Sequence, residues 1–472
     1  MLYTKVNVIY HSFSMAEPSQ AFIDKQKSGE FCYPISFFNF RLNDDPESSD
    51  TETRRYSRKG YAARLVHSVL RSSGFTECEK YDDANLIWGG PIEESQYNKL
   101  KLYQRLTHYN KTFSLGSKSG YNKMMKNFTE RIGEYPKFYP LSFQLPEERK
   151  ELESAFHTSK LWISKPGGGA RGEGIHVIDK MPGMFSGKVI VQKYIPNPML
   201  INGLKFDLRF YVAVTSLDPL MVFVHENGLV RLATEKYNDN LDNIENTSAH
   251  LTNFSINRHN PLFKATNDMS EDGTGNKWTL GAFWPYLKNM GLDADSIKNK
   301  IYDSIATVVI ASRETFIQQK NHRLSFEMFG FDVMLDSDYN PYILEVNVTP
   351  ALGTSSKLDL FVKSPVVRDL FNVGLIPKPS DNVEKLHNLI STYSHEIEAG
   401  IAVISEYELS LQRSGQFDCI FPVTGKKYLY DYLEKPTKAD EELQKWVSFN
   451  EEEKNKYFTE NLNTFKNFFS NK

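Results

Sequence analysis

Short apolar, β-prone runs and amphipathic helical stretches succeed one another along this chain. Ala62, Leu65, Val66, Val69 and Leu70 recur at three- and four-residue spacing, which predicts a helix, and the apolar run Ala84 to Gly90 predicts a buried strand. The segment before that helix, residues 43–59, is polar, charged and poor in apolar residues, and reads as a mobile loop. Strands are predicted at Leu161 to Ser164, at Val189 to Gln192, at Phe206 to Val214, and as a pair between Met221 and Leu232. A helix follows around Ile297 to Phe316, and beyond Pro377 the pattern turns helical and polar, through Leu386, Leu389, Ile390, Ile397, Ile401 and Ile404. The order predicts an α/β (α+β) protein in four pieces: residues 1–110, 111–200, 201–375, and a helical extension over 376–472.

Two acids stand out against this pattern. Asp332 lies in Phe329-Gly330-Phe331-Asp332-Val333-Met334-Leu335 and Glu345 in Tyr342-Ile343-Leu344-Glu345-Val346-Asn347. The turn-forming cluster Asp336 to Pro341 joins the two runs, so they read as a hairpin with one acid on each arm. A carboxylate among Phe, Val, Ile and Leu is costly to bury unless it is paired or binds a metal. Glu345 and Asn347, two apart on a strand, share a face, and with Asp332 they form an oxygen donor set suited to Mg²⁺. Two strand-end acids facing water would account for the same segment.

Other runs point to a polar cleft. Lys165-Pro166-Gly167-Gly168-Gly169-Ala170-Arg171-Gly172 carries a strand into a glycine-rich loop, where backbone N–H groups can approach phosphate oxygens beside Lys165 and Arg171. It lacks the Walker and dinucleotide spacings, and a plain hairpin turn competes with the phosphate reading. Gln192-Lys193-Tyr194-Ile195 is an extended segment able to meet an adenine edge, or an ordinary strand. Alternation puts Lys205, Asp207 and Arg209 on one face of a strand, as a polar cleft or a surface salt-bridge ladder requires.

The 472 residues carry a formal net charge of −3, which gives no global nucleic-acid signature, and 40% are hydrophobic. Residues 376–472 hold 12 basic and 16 acidic side chains, net −4, so the extension is not a basic arm. Cys32, Cys78 and Cys419 form neither a disulfide framework nor a zinc pattern, which suits a reducing compartment. No run reaches the roughly 18 apolar residues of a membrane span, and the first ten residues lack a leader pattern.

Taken in order and spacing, these segments resemble the ATP-grasp ligases and, within them, the tubulin tyrosine ligase-like family. The resemblance runs from Asp83 to Pro377 and more loosely over Gln412 to Tyr430. Phe326 to Asp332, Leu344 to Asn347 and Ser355 to Asp359 are most similar to its glutamylase branch. It implies an ATP-grasp core of three α/β domains with the helical extension added. By the same resemblance Lys165, Arg171, Gly172, Gln192, Lys193, Tyr194, Ile195, Lys205, Phe206, Asp207, Thr252 and Asn253 would hold ATP. Asp332, Glu345 and Asn347 would bind Mg²⁺. The incoming L-glutamate would meet Arg171, Arg231, Phe254, Ser255, Lys277, Lys363 and Val348, and Arg209, Lys165 and Glu345 would be the catalytic set.

Arg231, Lys277 and Lys363, three cations around one amino acid, suit an acidic side chain better than glycine. Two positions depart from the pattern. Phe254 stands where the family commonly has Tyr. Val348 stands where elongating glutamylases place His, which makes the chain resemble the branch-initiating kind. The implied acceptors are the acidic C-terminal tails of tubulin or another acidic protein tail, with no nucleic-acid or membrane partner. The implied location is the cytoplasmic cytoskeleton, including cilium or basal body, with a docking partner for the C-terminal helices. A sibling ligase adding glycine or tyrosine, or a silent microtubule-binding module, are the competing readings; Lys277 and Lys363 discriminate the first, and the complete metal set argues against the second. The acidic extension is in tension with an acidic acceptor, and Arg54, Arg55, Arg58, Lys59 and Arg171 are the candidates for a basic groove in the core.

Overall fold

The computed structural model describes residues 16–45, 52–90, 92–168, 172–183, 187–195, 197–238, 244–266, 268–318, 321–394 and 396–470, with the Ser255 side chain outside that set. Three sheets carry the chain. The first is parallel and comprises β1 (Arg55–Lys59), β2 (Thr76–Glu77), β3 (Leu86–Gly89) and β4 (Arg105–Leu106), in the order β2-β1-β3-β4. The second is antiparallel: β5 (Ser142–Leu145), β6 (Trp162–Pro166), β7 (His176–Ile178) and β8 (Val189–Lys193), in the order β5-β8-β6-β7.

The main sheet has eight strands: β9 (Leu200–Ile201), β10 (Leu204–Leu217), β11 (Leu220–His225), β12 (Leu229–Lys236), β13 (Lys277–Thr279), β14 (Glu327–Leu335), β15 (Pro341–Asn347) and β16 (Phe417–Phe421). The 14-residue β10 is its axis and pairs with β9, β11, β12 and β14. On one face Phe206, Leu208, Phe210 and Val212 pack with Ile297, Ile301, Ile305 and Val309 of helix Ala294–Phe316. On the other face Tyr211, Ala213 and Phe223 join a second core, built with helix Lys357–Val373 and the C-terminal helices.

Near the cleft the alternation of β10 turns Lys205, Asp207 and Arg209 away from the first of these cores.

Residues 43–59 contain a strand, β1, where a loop was expected; residues 46–51 lie outside the described set. Tyr56 and Ser57 are buried between two parallel neighbours, so tertiary pairing overrides the polarity of Arg55, Arg58 and Lys59. Arg54 is buried and donates to the Ser73 carbonyl at 2.6 Å, so it supplies nothing to a basic surface, and exposed Arg58 is paired with Glu77 at 2.6 Å.

The segment after residue 376 contributes helices Asp381–Ser391, Ile397–Gln412, Lys438–Ser448 and Glu451–Ser470, and in addition β16, which pairs antiparallel with β11. Phe22, Phe31 and Phe38 near the chain start lie in one core with Phe458 and Phe465, so the two ends of the described chain pack together. Among the described residues no helix is long and apolar enough to cross a membrane, and all three cysteines are free.

Candidate active site

Strand register assembles the charges. Across five neighbouring strands, Arg231 of β12 lies opposite Lys277 of β13 and Asp207 of β10, while Asp332 of β14 lies opposite Arg209 of β10 and Glu345 of β15. Like charges facing each other would destabilise a sheet, so each needs a counter-ion. Arg231 donates to both oxygens of Asp207, at 2.6 and 2.7 Å, and to Asp332 at 2.8 Å. Arg209 grips Asp332 with two N–H groups, Nη2 lying 2.9 Å from Oδ2, and Thr252 donates to Asp207.

Burial would raise the Asp332 carboxyl, but Arg209 and then Arg231 hold it well below the ordinary carboxylate range. Glu345 goes the other way: burial first, then the Asp332 charge, push its carboxyl up, against the pull of Lys118 at 3.9 Å. The Asn347 carboxamide nitrogen lies 3.4 Å from Glu345 and 3.5 Å from Asp332.

Among the described residues no group of three or more His, Cys, Asp or Glu could hold a metal. Asp332, Glu345 and Asn347 offer two carboxylates and one carboxamide. That set suits Mg²⁺, which takes one or two carboxylates and completes its octahedron with water and phosphate oxygens. A divalent cation there would also remove the like-charge penalty on Glu345.

Beside these acids an open cleft of about 690 Å³ separates the second sheet from the main one. Ile163, Ile175, Ile195, Leu251, Met334 and Leu344 give it apolar walls, and Lys165, Lys205, Asp207, Arg231 and Glu345 line its polar side. Among the described residues the Lys165 ammonium meets only the Gln192 carboxamide, at 2.7 Å, and Gln192 is held by Ser142 at 2.8 Å. The Lys205 ammonium meets the Tyr194 hydroxyl at 2.9 Å and the His250 carbonyl at 3.0 Å.

Neither buried lysine has a carboxylate within ion-pair distance among the described residues. Burial lowers Lys165 to about 8, and burial with the Lys165 charge lowers Lys205 to about 7. Two buried amines with no acid at ion-pair distance among the described residues are a preformed demand for an anion. A polyphosphate would meet it, with a flat ring between the apolar walls.

The cleft collects Lys165, Gln192, Lys193, Tyr194, Ile195, Lys205, Asp207, Arg231, Thr252, Asn253, Asp332 and Glu345 of the residues expected from sequence. Gly172 abuts it: at φ +81° its backbone suits glycine, and a Cβ would come within 3.0 Å of the Asn253 carboxamide oxygen. Arg171 and the Ser255 side chain lie outside the described residues.

Two of the expected residues have side chains turned away from the cleft. Phe206 points to the opposite face of β10, into the core against Phe283 at 5.4 Å, as strand alternation dictates. Val348 is buried against Gly116, where an added Cβ would come within 2.7 Å of its methyl.

Lys277, Lys363 and Phe254 form a separate group. Both lysines pair with Asp359, at 2.6 and 2.8 Å, and the Lys277 ammonium sits 5.3 Å above the ring of Phe254, which is 37% exposed. The sequence reading assigned nothing to Lys118, Asp359, Ile163, Ile175, Met334 or Leu344. The apolar ones flank motifs and could have been found as cleft walls, whereas Lys118 follows a helix N-cap, Ser117, and carries no signal.

The tubulin-tyrosine ligase family profile matches residues 94–384. The chain belongs to that family. It is 35% identical over 338 residues to the tubulin monoglutamylase TTLL4 of Homo sapiens, covering 69% of this chain and 28% of that protein. The tubulin polyglutamylase TTLL5 of Homo sapiens is 35% identical over 326 residues, covering 66% and 25%. The tubulin polyglutamylase ttll-4 of Caenorhabditis briggsae is 30% identical over 429 residues, covering 81% and 70%. The chain thus spans about a quarter of the length of the first curated relatives it matches. The matched stretch contains every residue of the cleft and of the Asp359 group.

Proposed function

We propose that this chain is an ATP-dependent tubulin glutamylase of the branch-initiating kind, ligating free L-glutamate to the γ-carboxylate of a glutamate in an acidic tubulin tail. Support comes from one arrangement above all: a cleft with two unpaired buried lysines and a two-carboxylate wall, next to a second cationic group at Lys277 and Lys363. The names of the relatives supply the acceptor.

ATP is a substrate here: its γ-phosphoryl group passes to the acceptor carboxylate with release of ADP, and the amine of free glutamate then displaces phosphate from the acyl phosphate and loses a proton to give the isopeptide. Asp332, Glu345 and Asn347 would hold Mg²⁺, which supplies charge neutralisation at phosphate oxygens. Lys165 and Lys205 bind and neutralise the polyphosphate from the buried side. Arg209, fixed by two bonds to Asp332, sets the orientation of that carboxylate and places positive charge beside it. Gln192 to Ile195 orient the base, and Ile163, Leu251, Met334 and Leu344 exclude water from it. The expected workplace is the microtubule cytoskeleton, including cilia, with the C-terminal helices available to a docking partner.

Incubation with tubulin, ATP and Mg²⁺ and labelled glutamate, glycine or tyrosine in parallel tests this. Glutamate alone should be incorporated; incorporation of glycine or tyrosine instead selects the sibling reaction, and none with any amino acid selects the silent binding module.

A further inference from the structure

The contacts of Asp359 single out a residue to which no role has been assigned. Its carboxylate is 1% exposed and sits in the first turn of helix Lys357–Val373. Four side chains donate to it: Lys277 at 2.6 Å, Lys363 at 2.8 Å, Ser355 at 2.9 Å and Ser356 at 3.2 Å. A carboxylate offers about four acceptor sites, so this one is saturated. Its own backbone N–H in turn donates to the Ser356 hydroxyl at 3.1 Å, which locks the carboxylate to the helix N-cap.

The two lysines reach it from different elements. Lys277 comes from the edge strand β13, 82 residues before Asp359, and Lys363 from the next turn of the same helix. Lys363 also donates to the Gly353 carbonyl at 2.6 Å. An ammonium has three N–H donors, so beyond these contacts Lys277 keeps two and Lys363 one. Two ammoniums around one buried carboxylate leave a single net positive charge, enough for one further carboxylate. Without Asp359 the two cations would repel and the pocket would carry two.

We propose that Asp359 is a positioning residue that holds Lys277 and Lys363 at a fixed separation and sets their net charge, so that together they receive one carboxylate of the incoming amino acid. This rests on the ligase reading for the amino-acid side of the site and extends it to the group that organises that side. Asp359 touches no reacting atom; it acts through the two lysines.

The test is calorimetric titration of amino acid and of ATP into wild type, Asp359→Asn and Asp359→Glu, with Mg²⁺ and a non-hydrolysable ATP analogue present for the amino-acid arm. Asp359→Asn should weaken glutamate binding about tenfold or more, with nucleotide affinity changed by less than about twofold. Asp359→Glu, which keeps the charge, should recover part of the loss.

A pH series adds a readout that a merely structural role would not move. Burial lowers the Lys363 pKa while Asp359 opposes that, and Lys277 and Arg209 are the other charged groups facing it. With Asp359 removed, Lys363 loses the acid it pairs with, so glutamate affinity in Asp359→Asn should fall more steeply between pH 7 and 9 than in wild type. Unchanged glutamate affinity, equal losses for glutamate and nucleotide, or parallel pH profiles would each overturn the proposal. Should Asp359→Asn fail to fold, the same comparisons are made with Asp359→Glu alone, whose longer side chain displaces both lysines and should still weaken amino acid selectively. Wild type that binds glycine or tyrosine in place of glutamate sinks the glutamate reading, while Asp359 is judged by the same ratios measured with that amino acid.

Discussion

Arg209 and Asp332 face each other across β10 and β14 and form a buried two-point ion pair, in a register that also sets Glu345 opposite Asp332. The pair connects the fold to the proposed chemistry, because the same contact closes the sheet and orients a carboxylate of the proposed metal set. Breaking a buried pair by removing one partner typically costs about 3–5 kcal/mol. Here Asp332 retains Arg231 at 2.8 Å, so Arg209→Met should lose about 2–3 kcal/mol, below that range. Urea denaturation measures this, and ligation should fall at least about a hundredfold because the carboxylate loses its fixed orientation. A stability equal to wild type would show that Arg231 alone satisfies Asp332.

Glu345 should behave in the opposite sense. Burial and the neighbouring Asp332 charge raise its carboxyl, so in the metal-free protein Glu345→Gln relieves repulsion and leaves stability unchanged or slightly higher. Ligation should nevertheless be lost. Thermal melts with EDTA and with Mg²⁺ plus ATP separate the two effects: wild type gains stability with the second and the variant gains much less. A variant that turns over at the wild-type rate would remove Glu345 from the metal set.

How much of this was legible in the sequence depended on how local each signal was. Asp332 and Glu345 could be read because carboxylates among apolar β-formers are conspicuous, and Lys205, Asp207 and Arg209 because a period of two fixes a shared face. The same period places Phe206 on the other face, so assigning it to the nucleotide set went against the rule that found its neighbours. Asp359 could not be read: its lysine partner Lys277 is 82 residues away, and an acid at the start of a helix is ordinary there. Strands β1 and β16 were hidden for a related reason, since their pairing with β3 and β11 is a tertiary fact that a polar or helix-rich context does not announce.

Nucleotide affinity should weaken with rising pH. Lys205 is lowered to about 7 and Lys165 to about 8, and each must be protonated to neutralise phosphate. Below pH 7 both are charged; as pH rises through 7 and then 8 they lose their protons, and binding must then restore them. The Kd for ATP should therefore rise about tenfold or more between pH 7 and 8.5. Lys205→Met should bind weakly throughout, with a flatter profile, by fluorescence titration. A wild-type profile flat over that window would mean that both lysines stay charged in the free protein.

The junction of the two chain ends should make stability fall with pH. Glu408, 1% exposed, accepts from the Ser19 backbone N–H at 2.7 Å and the Trp446 indole at 2.6 Å, while Glu451 accepts from the Ala21 N–H at 3.0 Å. Burial pushes Glu408 from 4.5 up to about 7, against the two hydrogen bonds. The folded state thus holds a proton that the unfolded chain releases. Between pH 4.5 and 7 the folded protein binds more protons, so this group's contribution, largest below 4.5, shrinks as pH rises and is gone above about 7. The change is of order 3 kcal/mol. Glu408→Gln keeps the shape and removes the titration. The difference in Tm between wild type and variant, in which other titrating groups cancel, should move in the variant's favour from pH 5 to pH 8; a difference that is constant over that range would mean that Glu408 is ionised in the fold at all of these pH values.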